Sequence, residues 1–213
     1  MRLHTNKFCG AVALWLLLLS FCQSHAQGTF QWTVSFDGAP ILQPTDSPAI
    51  TNYYEEGMTF RPIGQNDRLG RSGGGEQGFA YNGSAYIYAA FGDSLAVSSL
   101  SGAPFGLVSV DLAEFSILYQ SPLTVQFVGY RPDGSIATTE FVTDGIIDST
   151  GPLADFQTFY FDSRFADLVR VEVPTYRWSL DNMVFSTIPE PSTFVLMIFG
   201  ATLAIIRLFK RKT

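Results

Sequence analysis

From residue 29 to residue 36 the chain alternates without a fault, with Phe30, Trp32, Val34 and Phe36 at one parity and Thr29, Gln31, Thr33 and Ser35 at the other. Successive side chains of an extended chain point to opposite faces, so this pattern is a strand with one buried side. The same period recurs in residues 105–112, 123–130, 135–142, 156–161, 168–173 and 177–185. Between Tyr130 and Ser135 stands Arg131-Pro132-Asp133-Gly134. Proline presets the first corner of a turn and glycine accepts a positive φ, so the strands on either side form a hairpin.

No stretch between the two chain ends carries an apolar stripe at helical spacing; residues 112–118 come nearest and are short. Many short strands cut by Gly, Pro and Asp predict an all-β domain, an antiparallel β-sandwich of jelly-roll-like form with about eight strands. The core is expected around Phe30, Trp32, Phe127 and Phe161. The sandwich occupies residues 27–187, a normal size for one core, flanked by an N-terminal signal helix and a C-terminal transmembrane helix.

Both ends read as targeting segments. Arg2 and Lys7 precede an apolar run over residues 11–19, and Ser24-His25-Ala26 places small residues at the −3 and −1 positions of a signal peptidase site, with cleavage between Ala26 and Gln27. Residues 1–26 are thus expected to leave as a signal peptide. A lipoprotein at Cys22 is disfavoured, because the large Phe21 stands where that processing wants a small residue. At the other end, Pro189, Glu190 and Pro191 form an extended elbow, since proline lacks an N–H and biases its predecessor away from helix. An apolar run of 13 residues, 194–206, follows, and then the basic stop Arg207, Lys210, Arg211 and Lys212. Thirteen residues alone also suit a core helix. Continued through Phe209 with Arg207 snorkelling, the helix reaches ~24 Å. The basic cluster then favours a membrane span over residues 194–209 with its tail on the cytoplasmic side.

Removing both ends changes the chemistry available. The whole chain carries a net charge of −6. Residues 27–188 hold seven arginines against eighteen carboxylates, a net −11, with no lysine, histidine or cysteine. That excludes a disulfide, a Ser-His-Asp triad, a cysteine nucleophile, a Schiff-base lysine and an ordinary zinc site. The acidic balance repels nucleic acid and suits cations or neutral polymers. A carboxylate pair of the glycosidase kind and an oxygen-ligated calcium ion remain open.

The stretch from Ile188 to the C-terminus, with its Pro-Glu-Pro triad, short apolar helix containing Gly200 and basic end, resembles the PEP-CTERM sorting signal of bacteria. The resemblance implies recognition by an exosortase that cuts near the triad. It also implies a Gram-negative cell making extracellular polysaccharide, an inner-membrane-anchored precursor and a final place at the cell surface or outside. More loosely, residues 105–185 are similar to exported domains found ahead of such tails and to galactose-binding-like jelly rolls. In those, an Asp near the last strand often helps hold a structural calcium, which here would be Asp181 with Asp37. The alternative is that Asp181 and Asn182 hydrogen-bond backbone at a strand irregularity, and no metal or cofactor is assigned.

The middle segment, residues 53–91, is the segment where a functional surface is expected. Its glycine-rich loop, residues 71–78, lacks the Lys-Ser/Thr ending and the strand-to-helix context of a phosphate loop. Tyr53, Tyr54, Tyr81, Tyr86 and Tyr88 offer a stacking platform for sugars, although Tyr86, Tyr88 and Phe91 equally fit a half-buried strand. Three functions stay open. The preferred one is a non-catalytic surface or matrix protein, structural or adhesive. A carbohydrate-binding module for exopolysaccharide is the alternative, and a carboxylate glycosidase is less favoured. The expected partners are signal peptidase, exosortase, the membrane and extracellular polysaccharide.

Overall fold

A computed structural model describes residues 29–37, 52–64, 69–72, 77–90, 92–147 and 155–188. Internal contacts set Phe30–Ile188 apart as a unit. Among its described residues there are twelve strands: β1 (Gln31–Val34), β2 (Tyr53–Glu55), β3 (Met58–Ile63), β4 (Gly70–Ser72), β5 (Tyr86–Ala89), β6 (Ser94–Ser99), β7 (Phe105–Glu114), β8 (Thr124–Tyr130), β9 (Ile136–Val142), β10 (Gln157–Tyr160), β11 (Arg170–Val173) and β12 (Trp178–Thr187). The expected flanking helices, residues 1–26 and 194–209, lie outside the described residues. Among the described residues no helix is long and apolar enough to cross a membrane.

The strands form two antiparallel six-stranded sheets. Sheet I runs β10-β7-β12-β5-β4, with β1 also paired to β12; sheet II runs β2-β3-β6-β11-β8-β9. β12 is the axis of sheet I. One of its edges meets β7 along its whole length, while the other is shared between β5 at Trp178–Leu180 and β1 at Met183–Ser186. Inward side chains of the two sheets meet in one core, where Phe60 of sheet II lies 6.4 Å from Phe185 of sheet I. Phe127 is fully buried and packs against Phe141 at 5.7 Å and Phe161 at 5.0 Å.

The expected hairpin is β8–β9. Gly134 takes φ +83° and its N–H donates to Arg131 O at 3.0 Å, while Ser135 N donates to Asp133 Oδ1 at 2.8 Å. Two expectations need correcting. The expected face of the first strand buries Val34 and Phe36, but Phe30 is 66% exposed. Pairing of β1 begins at Gln31 opposite Ser186; the Phe30 backbone still bonds Thr187, but its ring lies past the paired register and stacks on Trp32 at 6.2 Å. The described parts of residues 53–91 carry β2 to β5, strands of both sheets, and among the described residues they bring the strand count to twelve and not about eight. The candidate helix over residues 112–118 is the end of β7 followed by a single 3-10 turn, Ile117–Tyr119.

Candidate functional site

The sorting residues Pro189, Glu190 and Pro191, the cleavage pair Ala26 and Gln27, and the basic stop Arg207, Lys210, Arg211 and Lys212 all lie outside the described residues. Of the glycine-rich loop, residues 73–76 do as well.

The five tyrosines do not form one platform. Tyr53 and Tyr54 sit on β2 of sheet II and point to opposite faces, Tyr53 into the core beside Phe36 at 5.5 Å and Tyr54 outward. Tyr86 and Tyr88 belong to β5 of sheet I, with Tyr86 buried under Phe156 at 5.4 Å. The Tyr88 ring covers Gly70 on β4 so closely that a Cβ there would fall 2.0 Å from its Cζ. β5 is covered on both faces, with Ile87 and Ala89 in the core and Tyr86 and Tyr88 packed against Phe156 and Phe115.

Asp37 and Asp181, far apart in sequence, do come together. Asp181 lies on β12 where the register with β7 slips, and Asn182 adopts φ +44°, so the pair marks a β-bulge. Asp181 Oδ2 accepts from Asn82 Nδ2 at 2.5 Å, and Oδ1 accepts from Asn182 N at 2.7 Å. Ser84 Oγ lies 2.8 Å from Asp181 Oδ2 and 2.9 Å from Asn82 Oδ1, and Ala85 N donates to Asp37 Oδ1 at 3.0 Å. Burial, aided by the nearby charge of Asp37, pushes the Asp181 carboxyl up to about 7 despite these donors. Calcium needs free oxygen lone pairs directed at one point. Here donors already occupy the Asp181 oxygens, so the arrangement fits a hydrogen-bonded carboxyl and does not fit the cation. Among the described residues no three acidic, cysteine or histidine side chains gather as metal ligands.

A carboxyl near 7 also has the acidity of a general acid. Asp181, however, is 0% exposed beneath the residue 82–84 loop, and no substrate reaches it. The fully buried Glu114 is similarly enclosed, accepting from the Thr143 hydroxyl and from Gly145 N at 2.7 Å.

The accessible side chains converge on the outer face of sheet II. Along β6 that face carries only Ser94, Ala96 and Ser98. On one flank β3 places Arg61 opposite Ala96, and on the other β11 places Glu172 opposite the same alanine. Next to β11, β8 sets Tyr130 against Arg170 and Val128 against Glu172. The result is a floor of small side chains between taller polar and aromatic ones. The Arg170 guanidinium lies 4.2 Å from the Tyr130 ring centroid and 3.1 Å from Glu172 Oε1, while Tyr130 OH donates to Glu172 Oε2 at 2.7 Å. That hydrogen bond to Glu172 raises the Tyr130 phenol above its ordinary range, so it remains a donor. At one edge Tyr54 is 57% exposed, and at the other stands Ile136. Sequence reading passed over Tyr130, Arg170, Glu172 and Arg61. The outward parity of Tyr130 opposite Val125 and Phe127 was the one signal available.

No protein-family model matches this chain, and no curated protein matches it significantly. Among solved structures it is similar to a family 29 carbohydrate-binding module complexed with cellulohexaose, at 11% identity over 75% of this chain and 92% of that one, with a TM-score of 0.35. A family 29 module complexed with mannohexaose is 12% identical over 75% and 93%, also with a TM-score of 0.35. A family 11 carbohydrate-binding module from Clostridium thermocellum, in complex with a mixed-linked tetrasaccharide, is 7% identical over 73% and 94%, with a TM-score of 0.28. Values this low describe a loose likeness of all-β architecture and carry nothing about a shared ligand. The class defined by the fold itself is an antiparallel β-sandwich.

Proposed function

We propose that this chain is an exported, non-catalytic β-sandwich that holds a neutral extracellular polysaccharide on the outer face of sheet II, and that its C-terminal segment is an exosortase sorting signal. The observation that carries the binding reading is the Arg170–Tyr130–Glu172 assembly flanking the Ser94-Ala96-Ser98 floor, with Arg61 across it. A sugar presents an apolar C–H face to an aromatic ring and a rim of hydroxyls to polar neighbours, and this face offers both. The guanidinium of Arg170 is already balanced by Glu172, so the face adds little net charge for a polyanion.

A glycan array followed by calorimetric titration of the best neutral hit, with the full-length chain in detergent, tests the reading. Tyr130→Ala and Arg170→Ala are expected to weaken binding at least about tenfold, the loss of roughly one stacking contact and its hydrogen bonds. No neutral glycan bound, or full binding by both variants, would refute it.

The sorting reading has its own test. Glu190→Ala should leave the sandwich within about 0.5 kcal/mol of wild type, because the change lies beyond β12 and outside the Phe30–Ile188 unit. In a host with an exosortase, the variant should keep most of its tail and stay in the inner-membrane fraction while wild type loses it. Intact mass and fractionation give the readout. Equal processing of the two forms makes the segment a plain anchor.

A further inference from the structure

Four non-glycine residues among those described have positive φ: Phe36 at +60°, Glu56 at +48°, Arg177 at +72° and Asn182 at +44°. Three explain themselves. Phe36 is turned so that its ring fills the core against Phe60 at 5.0 Å. Glu56 pairs with Gly57 in the two-residue turn between β2 and β3, a geometry that demands left-handed residues. Asn182 is a residue type that tolerates this region and occupies a bulge. Arg177 has no such account. Its backbone is fixed, with Arg177 N donating to Ala89 O at 2.5 Å and its carbonyl accepting from Phe115 N at 2.8 Å. That geometry requires a left-handed residue where glycine fits best, yet it holds a long exposed side chain.

The side chain has a defined setting. Its guanidinium carbon lies 4.6 Å from the Tyr119 ring centroid and 5.1 Å from that of Tyr176. Among the described residues no carboxylate pairs with it, and none of its N–H groups has a hydrogen-bond acceptor. Two rings thus hold a planar fork of five donors whose edge has no partner among the described residues. Tyr119 lies on the β7–β8 connection and Tyr176 on the β11–β12 connection, both of which cross from one sheet to the other. Leu118, beside Tyr119, is 82% exposed. Backbone strain retained at an exposed, donor-rich residue is characteristic of a ligand clamp.

We infer that the Arg177 turn is a second sugar-binding site, at which the guanidinium edge donates to neighbouring hydroxyls of a neutral pyranose while the Tyr176 ring stacks against its C–H face. The inference rests on the polysaccharide-binding reading above and adds a site on the connections between the sheets, apart from the outer face of sheet II. The net charge of −11 over residues 27–188 opposes accumulation of a polyanion, so a neutral sugar is the ligand the clamp fits.

Arg177→Gly separates the clamp from a structural role, since glycine relieves the left-handed strain. The full-length chain in detergent is titrated with cellohexaose, mannohexaose and a hexagalacturonate, and melting temperatures are recorded alongside. The expected result is a melting temperature equal to or above wild type together with at least a fivefold loss of neutral-oligosaccharide affinity. Arg177→Lys, which keeps the charge without the fork, should be intermediate. Unchanged affinity in Arg177→Gly, with Tyr130→Ala still impaired, overturns the Arg177 site and leaves the sheet II reading intact. A fall in melting temperature that accompanies the lost affinity, or preference for the hexagalacturonate abolished by salt, also overturns it. Failure of wild type to bind any of the sugars removes both readings.

Discussion

Phe127→Ala is expected to lower the unfolding free energy of the sandwich by about 3–5 kcal/mol. Phe127 projects inward from β8 with no exposed surface, and its ring touches Phe141 of β9 and Phe161 beyond β10. Phe141 in turn stacks on Phe159 of β10 at 4.9 Å, and Phe161 packs on Phe165 at 4.9 Å. Removing the ring leaves a cavity walled by other rings, which are too stiff to collapse into it, and that sets the effect near the upper end of the range. Chemical denaturation of the wild type and variant reads it directly. A loss below 1 kcal/mol would mean that the ring is not enclosed as described. Phe30→Ala is the internal control, because the Phe30 side chain is largely exposed and its removal should cost far less.

The second large effect is a dependence of stability on pH at one residue. Burial raises Asp181 from 3.8 to about 7, so folding disfavours its charged form. Its contribution is therefore fully present below pH ~4 and is lost as pH rises through ~7. A shift of this size corresponds to about 4 kcal/mol across that window. Exposed carboxylates such as Asp162, held low by Arg164, slope the other way and obscure the total. The difference between wild type and Asp181→Asn isolates the site. That variant cannot ionise, so its stability relative to wild type should improve by several kcal/mol between pH 4 and pH 8. Parallel curves for the two proteins would show that Asp181 is charged and satisfied throughout. Asp37→Asn, which removes a neighbouring negative charge, should move the midpoint of the difference to lower pH.

The strands that alternate over seven or more residues were legible in sequence, as was the Arg131–Gly134 turn, since both signals are local. Phe30 was misjudged because alternation gives the face of a strand but not the point at which its partner begins. The segment holding β2 to β5 resisted reading because its strands are three to six residues long, interrupted by glycines and distributed between two sheets. The proximity of Asp37 and Asp181 was anticipated only through a family resemblance. What surrounds them depends on Asn82 and Ser84, brought in from 99 and 97 residues away, which no spacing encodes. The same limit hid the sheet II face, where Arg61, Tyr130 and Glu172 become neighbours only through register. By its place in the alternating pattern Arg177 reads as the first residue of the last strand. Its left-handed backbone was invisible because the residue type that normally signals such a position is glycine.

The placement of β12 governs when the molecule can fold. It is the last of the described strands, yet among the described residues it is the only partner of β1, and it joins β5 to β7. A chain emerging N-terminus first carries β1, β5 and β7 with nothing to unite them until residue 187 is free. Sheet I then closes in a single late step spanning almost the whole unit, with Phe30 N reaching a side chain 157 positions away. Contacts of such long range make for slow folding. Any truncation ahead of β12 removes the centre of sheet I.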